Sequence, residues 1–397
     1  MKVCLWGAAL VFLAALFYYA FRAPFSTRVL SSSMEPTLYG PRWEPLCPRC
    51  GNLFIFSVNE PSREKIASVR FASCPLCGFS EIPLNPKELR KGDRVRVERR
   101  VVPSPRRWEV VAWRSDGGLS VKRVAGLPGE EIELRRGTLY VDGRPVPKPQ
   151  DRWSRVPLNT DRKAVSGRLL VLNRLPCPLL DGEGERADSY HPPITNAPTS
   201  LPFDEPKKIE FVNDYSVEFP SRLLDGASLI VNQGDRAWHI ARAEAGRLAL
   251  RRIDLPEDRS PEEDMKMSAS DFGGTEEIFA ELPESSGELT VSCADALLRI
   301  FAGPTCLFSL PNPPIAEKSR PVVCPLIVLT ETPEEHIPAR IRVWRDVGYG
   351  SLSPRRLGDD EYFLLGDNPA FSVDSRDAGD PVRARQLHAA VFSEREL

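Results

Sequence analysis

Polar and apolar residues alternate along much of the chain, a pattern that predicts β-strands. Before residue 150 the clearest alternating segments are residues 91–97 and 108–113, and a glycine-containing turn after them leads into a predicted strand that carries residues 121–124. Alternate side chains of a strand point to opposite faces, so one set is buried while the other contacts water. Long apolar segments with helical spacing are few. The pattern therefore predicts a mainly β fold.

A second group of strand-like segments lies between residues 208 and 346 and predicts a β-sandwich, because turns interrupt these segments at the spacing typical of that fold. The preceding stretch, residues 149–207, is rich in Pro, Asp, Asn and Arg and is predicted to be an extended connector. Within the sandwich, the acidic stretch 254–288 is predicted to be a mobile loop.

The N-terminal segment carries no charged residue from position 3 to position 21. As a helix it is about 28 Å long, which matches the roughly 30 Å hydrocarbon core of a bilayer. Aromatic residues at its far end are typical of a membrane interface. A cleaved secretory signal is the alternative, but the residues that follow offer no convincing small-x-small cleavage site. The segment predicts one retained transmembrane helix.

Composition narrows the classes of function. A net charge of −2 provides no basic surface for nucleic acid. Thirty-eight prolines disfavour a helical protein, and 397 residues are enough for two or three domains. Nine cysteines are too few for a disulfide scaffold of this length, although their placement is informative.

Two matching C-P-x-C-G turns indicate a metal-binding insert. Each turn holds two thiols within reach of one ion, and the glycine after each pair permits the left-handed backbone that directs amides at the sulfurs. We predict a zinc ribbon with a structural zinc ion; two disulfides or a redox CxxC are the alternatives. The predicted ligands are Cys47, Cys50, Cys74 and Cys77. The remaining candidates for up to two disulfides are Cys177, Cys293, Cys306 and Cys324.

Three short motifs carry the candidate chemistry. They are Ser-Ser-Ser-Met-Glu-Pro-Thr-Leu at 31–38, Val-Lys-Arg-Val-Ala-Gly-Leu-Pro-Gly at 121–129, and Tyr-Phe-Leu-Leu-Gly-Asp-Asn at 362–368, followed by Ser-Val-Asp-Ser-Arg at 372–376. In this order they resemble the type I signal peptidases, the membrane-anchored serine/lysine proteases that remove signal peptides. The resemblance covers residues 25–40, 86–148 and 358–395.

The resemblance implies a serine nucleophile and a lysine base. Ser33 stands at the family's nucleophile position and Lys122 at that of its general base. A lysine acts as a base only as a neutral amine, and burial favours that form. Ser31 is implied to join the oxyanion hole beside the Ser33 amide, and Ser372 to hydrogen-bond the lysine amine. No cofactor is implied for catalysis.

Four further residues are implied to support this site. Asp367 is expected to pair with Arg123 and hold the last motif against the lysine strand. Asp374 and Arg376 are expected to be structural members. Ser32 departs from the pattern, since many relatives have glycine there. The four histidines lie outside the three motifs, which weakens a Ser-His-Asp alternative.

The predicted organisation is a signal-peptidase-type β catalytic core that is interrupted by two inserts. Its segments are the transmembrane anchor (1–24), the serine part of the core (25–40), the zinc-ribbon-like insert (41–85), the lysine part of the core (86–148), the connector (149–207), the β-sandwich-like insert (208–346) and the closing part of the core (347–397).

The resemblance implies an endopeptidase that cleaves signal peptides from exported preproteins after small residues at −1 and −3. It is expected in the cytoplasmic (inner) membrane as a single-pass protein, next to lipid and the secretion machinery, with its catalytic part outside the cytoplasm. The alternatives are a Ser-Lys protease with a dedicated substrate, an autoprotease of the repressor-cleaving type, and a non-catalytic surface-binding protein on a vestigial protease core.

Overall fold

The structure is a computed structural model that describes most of the chain between residues 24 and 391. The described residues are 24–49, 51–58, 62–72, 74, 79, 81–101, 104–115, 118–149, 155–158, 160–165, 167–173, 212–283, 287–313, 322–330, 341–377 and 381–391. The apolar run 3–21 lies outside them, so the anchor stays a prediction. Within the described ranges, no helix is long and apolar enough to cross a membrane.

Strands dominate the described part, which confirms the predicted mainly β fold. The elements up to residue 149 are β1 (Phe25–Arg28), β2 (Arg42–Trp43), β3 (Phe56–Ser57), α1 (Arg63–Ser68), β4 (Phe71–Ala72), β5 (Ile82–Pro83), β6 (Arg94–Val101), β7 (Val110–Ser115), β8 (Gly118–Gly126), β9 (Glu131–Arg135), β10 (Thr138–Val141) and β11 (Arg144–Pro145).

The central part of the chain, residues 155–346, contributes further strands and one short helix. They are β12 (Arg155–Pro157), β13 (Thr160–Val165), β14 (Arg168–Asn173), β15 (Tyr215–Pro220), β16 (Ala227–Asn232), β17 (Arg236–Arg242), β18 (Arg247–Asp254), α2 (Pro261–Asp264), β19 (Glu277–Glu281), β20 (Glu288–Ala294), β21 (Leu297–Ala302), β22 (Thr305–Pro311), β23 (Leu326–Thr330) and β24 (Arg342–Asp346). The closing part has β25 (Leu352–Arg356), β26 (Glu361–Leu365), β27 (Val382–Arg383) and β28 (Leu387–Val391).

The first sheet joins the beginning, the middle and the end of the chain in the order β1-β6-β28-β7-β8-β26-β27. Its strand pairs are antiparallel. Val110 and Ala112 of β7 belong to one apolar cluster, whereas Val111 between them belongs to another. Alternate residues of β7 thus lie on opposite faces of the sheet. This sheet brings all three sequence motifs into one region.

The second sheet, β11-β10-β9-β25, packs against the first through a shared apolar cluster. Ile132 and Leu139 come from the second sheet and Phe363 from the first. Apolar and polar residues alternate along β9. Ile132 and Leu134 are buried in this cluster, and the charged residues between and beside them are not.

Two larger sheets form a β-sandwich over one common core. Their orders are β12-β24-β15-β20-β21-β22 and β13-β14-β23-β16-β17-β18-β19. Val217 and Val291 of one sheet and Leu229 and Val328 of the other are buried in the same cluster. The inward side chains of the two layers therefore share one apolar interior.

The connector predicted for 149–207 is corrected for part of its length. Strands β12, β13 and β14, between residues 155 and 173, pair with strands of the sandwich. Leu169 and Val171 lie in its core. The sandwich thus includes residues well before position 208, because the apolar run of β14 is buried against β23. Residues 174–211 lie outside the described part.

The described residues of the acidic stretch 254–288 form secondary structure, whereas a mobile loop was predicted. The stretch contains α2 and β19, and Leu255, Met267 and Phe272 are buried against Ile230 of the sandwich. These apolar side chains fix the segment on the outer face of the sheet, although charged residues dominate its composition.

In its described residues, the segment predicted to be a zinc-ribbon-like insert (41–85) contains two short hairpins, β2-β3 and β4-β5, and helix α1. Trp43, Phe54 and Val58 pack in its core together with Cys47 and Cys74. The other two predicted zinc ligands, Cys50 and Cys77, lie outside the described residues. In the sandwich, Cys293, Cys306 and Cys324 are unpaired, so no disulfide joins these three. Cys177 lies outside the described part.

A buried ion cluster joins the sandwich to the segment after β11. The amine of Lys148 lies 2.7 Å from Asp346 Oδ2 and contacts Asp295 Oδ1. All three side chains are buried. The charges are paired with one another, which compensates part of the large desolvation cost of burying them.

Candidate active site

Ser33 lies in a compact turn that apolar side chains hold on the first sheet. The amide of Leu38 donates a hydrogen bond of 2.9 Å to the carbonyl of Met34. Both side chains are fully buried in the cluster that contains Val95 and Val97 of β6. The apolar positions of the motif thus anchor the turn and leave its serines beside the neighbouring strands.

Lys122 meets Ser33 from strand β8. Burial increases along this strand from the exposed Gly118 to the buried Gly126, and Lys122 is the first buried position. Its amine Nζ lies 2.8 Å from Ser33 Oγ and donates a hydrogen bond to it. The side chain is 4% exposed. A buried amine at this distance is placed to accept the hydroxyl proton once the amine is neutral.

Ser31 also contacts the nucleophile candidate. Its Oγ is 3.2 Å from Ser33 Oγ, and either hydroxyl can be the donor. The Ser31 hydroxyl and the Lys122 amine therefore both contact Ser33 Oγ. In the free protein this arrangement orders the Ser33 side chain, and Ser31 is near enough to donate to an oxyanion that develops there.

Asn368 holds the backbone of the serine turn. Its backbone N–H donates a hydrogen bond to the Ser33 carbonyl at 3.1 Å, and its side-chain Nδ2 donates one to the Ser32 carbonyl at 3.0 Å. No role for this side chain was predicted from the sequence. The Gly-Asp-Asn motif was the available signal, since asparagine often hydrogen-bonds to nearby backbone groups.

Arg123 and Asp367 form a bidentate ion pair. Nε of the arginine lies 2.7 Å from Oδ1 of the aspartate, and Nη2 lies 2.6 Å from Oδ2. Arg123 also donates to the Trp108 carbonyl at 2.6 Å, and Thr37 donates to Asp367. The pair therefore ties β8, the serine motif and the last motif to one another.

Asp374 and Arg376 form a second charged unit in the last motif. Asp374 accepts hydrogen bonds from the Gly366 amide at 3.0 Å and from Arg376 Nε at 2.8 Å. Burial raises the pKa of the Asp374 carboxyl, but the hydrogen bonds and charge of Arg376 outweigh it and hold the pKa below its usual value. Arg376 also donates to the Tyr349 carbonyl, at 3.1 Å. The carboxylate therefore stays ionised and braces the turn.

Ser372 is close to the site, but the hydrogen bond expected between it and Lys122 is not formed. Its Oγ is buried and has no hydrogen-bond partner among the described residues. A Cβ at Gly366 would lie 2.1 Å from Ser372 Oγ and 2.6 Å from the Ser33 carbonyl oxygen. The absence of a side chain at Gly366 thus lets Ser372 and the serine turn approach each other closely.

Glu35 is a buried carboxyl that the sequence did not single out. It lies two residues after Ser33, is 7% exposed, and accepts a hydrogen bond from Ser57 of the zinc-ribbon-like insert. Burial raises its pKa to about 8, although the Ser57 hydrogen bond and the charge of Arg42 oppose that shift. The contact could not be anticipated because it depends on how the insert packs on the core.

The two described cysteines of the insert are compatible with a thiolate metal site. Both thiols are buried in one cluster. The Gly51 amide donates to the Cys47 carbonyl at 2.9 Å, and Gly51 adopts the left-handed conformation expected after a CxxC pair. Within the described ranges, no group of three or more Cys, His, Asp or Glu residues is arranged to hold a metal ion. Cys50 and Cys77 lie outside those ranges.

Comparison with protein families matches residues 80–170 to signal peptidase, peptidase S26. The match supports a relation to that family and a peptidase function of the signal-peptidase type. The matched segment includes Lys122 and Arg123, whereas Ser33 and the last motif lie outside it.

Other comparisons add little. No curated protein matches the chain. Among solved structures, the botulinum neurotoxin serotype D/C VPI 5993 binding domain is 9% identical, over 63% of this chain and 50% of that one, with a TM-score of 0.20. The serotype C1 binding domain has the same identity and coverage and a TM-score of 0.19. The match spans half of those solved chains, and such low scores support no inference about fold or function.

Proposed function

We propose that the protein is a signal-peptidase-type serine endopeptidase with Ser33 as nucleophile and Lys122 as general base. The observation that carries this proposal is the 2.8 Å hydrogen bond between Lys122 Nζ and Ser33 Oγ, made by two buried side chains from different motifs. The family match over residues 80–170 supports the same class of chemistry independently.

In the proposed reaction, Ser33 Oγ bonds to the scissile carbonyl carbon while its proton passes to the neutral amine of Lys122. The Lys122 ammonium then gives this proton to the departing amine as the C–N bond breaks. Ser31 Oγ and the Ser33 amide donate to the oxyanion of the tetrahedral intermediate. A water molecule then gives a proton to the same lysine and attacks the acyl carbon. The ester bond to Ser33 Oγ breaks, and the lysine returns the proton to that oxygen.

The proposed substrates are exported preproteins with small residues at −1 and −3, bound as an extended strand beside the first sheet. The proposed location is the cytoplasmic membrane, with residues 1–24 as the anchor and the catalytic part outside the cytoplasm. Leu30 lies three residues before Ser33 and Val373 directly follows Ser372, and they are 63% and 53% exposed. Their apolar surface suits a site that receives substrates from a lipid bilayer.

We also propose a structural zinc ion in the insert, held by Cys47, Cys50, Cys74 and Cys77. The burial of two of these thiols in one core and the turn at Gly51 support it. Such an ion would cross-link the two hairpins. It has no part in the proposed reaction.

The decisive experiment is cleavage of a preprotein with an Ala-x-Ala site by the full-length protein in detergent. Ser33→Ala and Lys122→Met are each expected to abolish cleavage after the alanine. Lys163→Met is the matched control, because Lys163 is an exposed lysine of the sandwich. Wild-type protein that is folded but neither cleaves this substrate nor reacts with a serine-directed acylating inhibitor would overturn the proposal.

A further inference from the structure

The hairpin of β2 and β3 carries two cross-strand pairs that face different parts of the molecule. Trp43 is opposite Phe56, and their rings pack in the apolar core of the insert with centroids 6.3 Å apart. The next pair is Arg42 and Ser57, and both side chains are fully buried. Because alternate residues of a strand point to opposite faces, this second pair points away from the insert core.

The second pair contacts the segment that carries Ser33. Ser57 Oγ donates a hydrogen bond to Glu35 Oε1. Arg42 donates to the Gly40 carbonyl at 3.3 Å and lies 3.2 Å from Asp93 Oδ1. One face of the hairpin thus packs in the core of the insert, and the other contacts the segment that carries the proposed nucleophile.

Other restraints on this turn come from the proposed catalytic core. Met34 and Leu38 are anchored in the sheet, and Asn368 holds the Ser33 carbonyl. The hydrogen bond from Ser57 is different in origin, since it couples the turn to an inserted subdomain. Loss of that bond leaves the Glu35 carboxyl buried without its donor, which favours movement of the turn.

We propose that Ser57 is a positioning residue that acts through Glu35, so that the folded insert is required to hold Ser33 at its reactive geometry. The inference rests on the proposed function, because it concerns regulation of the same nucleophile. The insert is then an activity-controlling element, and any event that loosens its cysteine-containing core weakens the protease.

The charged groups around Glu35 give the proposal a pH signature. Arg42 and Asp93 act on the carboxyl from β2 and from the segment before β6, and Tyr39 lies in the same cluster. Burial raises the pKa of Glu35 to about 8. At neutral pH the carboxyl is mainly protonated, and above about pH 8 it becomes a buried anion facing Asp93. The turn should therefore lose its best geometry as the pH rises through that value.

The first test compares Ser57→Ala, Ser57→Thr and Ser68→Ala in the full-length protein. Ser68 is an exposed serine of α1 whose hydroxyl donates to the Lys65 carbonyl, so its replacement is a matched control within the insert. Ser57→Ala is expected to lower kcat about tenfold with little change in KM, as a displaced nucleophile would. Ser57→Thr retains the hydroxyl and should restore kcat to within about twofold, and Ser68→Ala should leave it unchanged.

The second test measures kcat against pH for wild type and Glu35→Gln. Glutamine keeps an acceptor for Ser57 but does not titrate, so the fall in kcat above about pH 8 should be smaller than in wild type. An active wild type together with an unchanged kcat in folded Ser57→Ala overturns the positioning role. If Ser57→Ala does not fold, identical pH profiles for wild type and Glu35→Gln overturn it. An inactive, unacylated wild type instead overturns the proposed function.

Discussion

Arg123 and Asp367 form a bidentate ion pair, although they are 244 positions apart in the chain. Both side chains are almost fully buried. Arg123 follows the proposed base Lys122 in β8, and Asp367 precedes Asn368, which binds the Ser33 carbonyl. The pair therefore links the two backbone segments whose relative position sets the distance between base and nucleophile. A change in this pair should affect stability and catalysis together.

Asp367→Asn is expected to lower the free energy of unfolding by about 3 to 5 kcal/mol, because it leaves the Arg123 guanidinium buried without a counter-ion. Urea unfolding of the full-length protein measures this loss. Asp142→Asn is the control, since Asp142 and Arg356 form a largely exposed pair at 3.5 Å. The control should change stability by less than about 1 kcal/mol. Equal losses in the two variants would contradict the importance of burial.

Gly366→Ala is expected to lower the rate of cleavage strongly while the sandwich stays folded. The new methyl group would lie 2.1 Å from Ser372 Oγ and 2.6 Å from the Ser33 carbonyl oxygen, so the serine turn must move. A loss of about 100-fold in kcat is reasonable for a displacement of this kind. Gly287→Ala is the control, because a Cβ there has no neighbour within 4 Å. Full activity of Gly366→Ala would mean that the turn tolerates the shift.

Glu35→Gln should make stability less dependent on pH. The pKa of Glu35 is raised from 4.5 to about 8 on folding, so between these values the folded state binds a proton that the unfolded state has released. Wild-type stability from this group is therefore lost as the pH rises through that window, by at most about 1.4 kcal/mol per pH unit. Chemical unfolding of both proteins at several pH values should show a difference that grows up to about pH 8 and then stays constant. A difference that shrinks with rising pH would contradict the assignment.

Lys148→Met is expected to destabilise the protein by about 3 to 5 kcal/mol at neutral pH, because Asp295 and Asp346 lose their buried cation. The loss should be smaller at acidic pH, since burial already raises the pKa of Asp346 and a protonated carboxyl needs no counter-ion. Denaturant unfolding at two pH values tests both statements. Lys163→Met, at an exposed position, should be neutral at both.

Purified full-length protein is expected to contain about one zinc ion per chain, a stoichiometry that metal analysis measures. Cys47→Ser and Cys74→Ser should each lower the zinc content, since each removes a proposed ligand. Cys306→Ser is the control, because Cys306 is an exposed thiol of the sandwich. Metal-free wild-type protein with two disulfides in the insert would favour the disulfide alternative.

The assembly of the three motifs was predictable from the sequence because each motif is local and their order is informative. The glycine-containing turn predicted before residue 121 also placed Lys122 on a β-strand, as observed in β8. The prediction of a hydrogen bond between Ser372 and Lys122 was wrong, because Ser372 Oγ has no hydrogen-bond partner among the described residues. The role of Ser372 was inferred from the resemblance. The orientation of its hydroxyl group depends on packing that a motif does not encode.

Prediction from the sequence failed where a strand or side chain pairs with a segment that is distant in the chain. Strand β13 has polar and charged residues at most positions, and its pairing with β14 became evident only from the fold. β14 in turn pairs with β23, more than 150 residues later, so the apolar run 169–172 had no visible partner nearby. The contact of Ser57 with Glu35 has the same cause, because nothing in either local sequence specifies the other.

The position of β28 between β6 and β7 has a consequence for biosynthesis. A chain made from its N-terminus presents Ser33 and Lys122 long before β26, Asn368 and β28, so the serine turn lacks its clamp and the sheet lacks an inner strand. We expect a nascent chain that stops before residue 361 to show no reaction with a serine-directed acylating inhibitor. Late completion of this non-local sheet should slow folding, and it should leave the proposed peptidase inactive until the chain is finished.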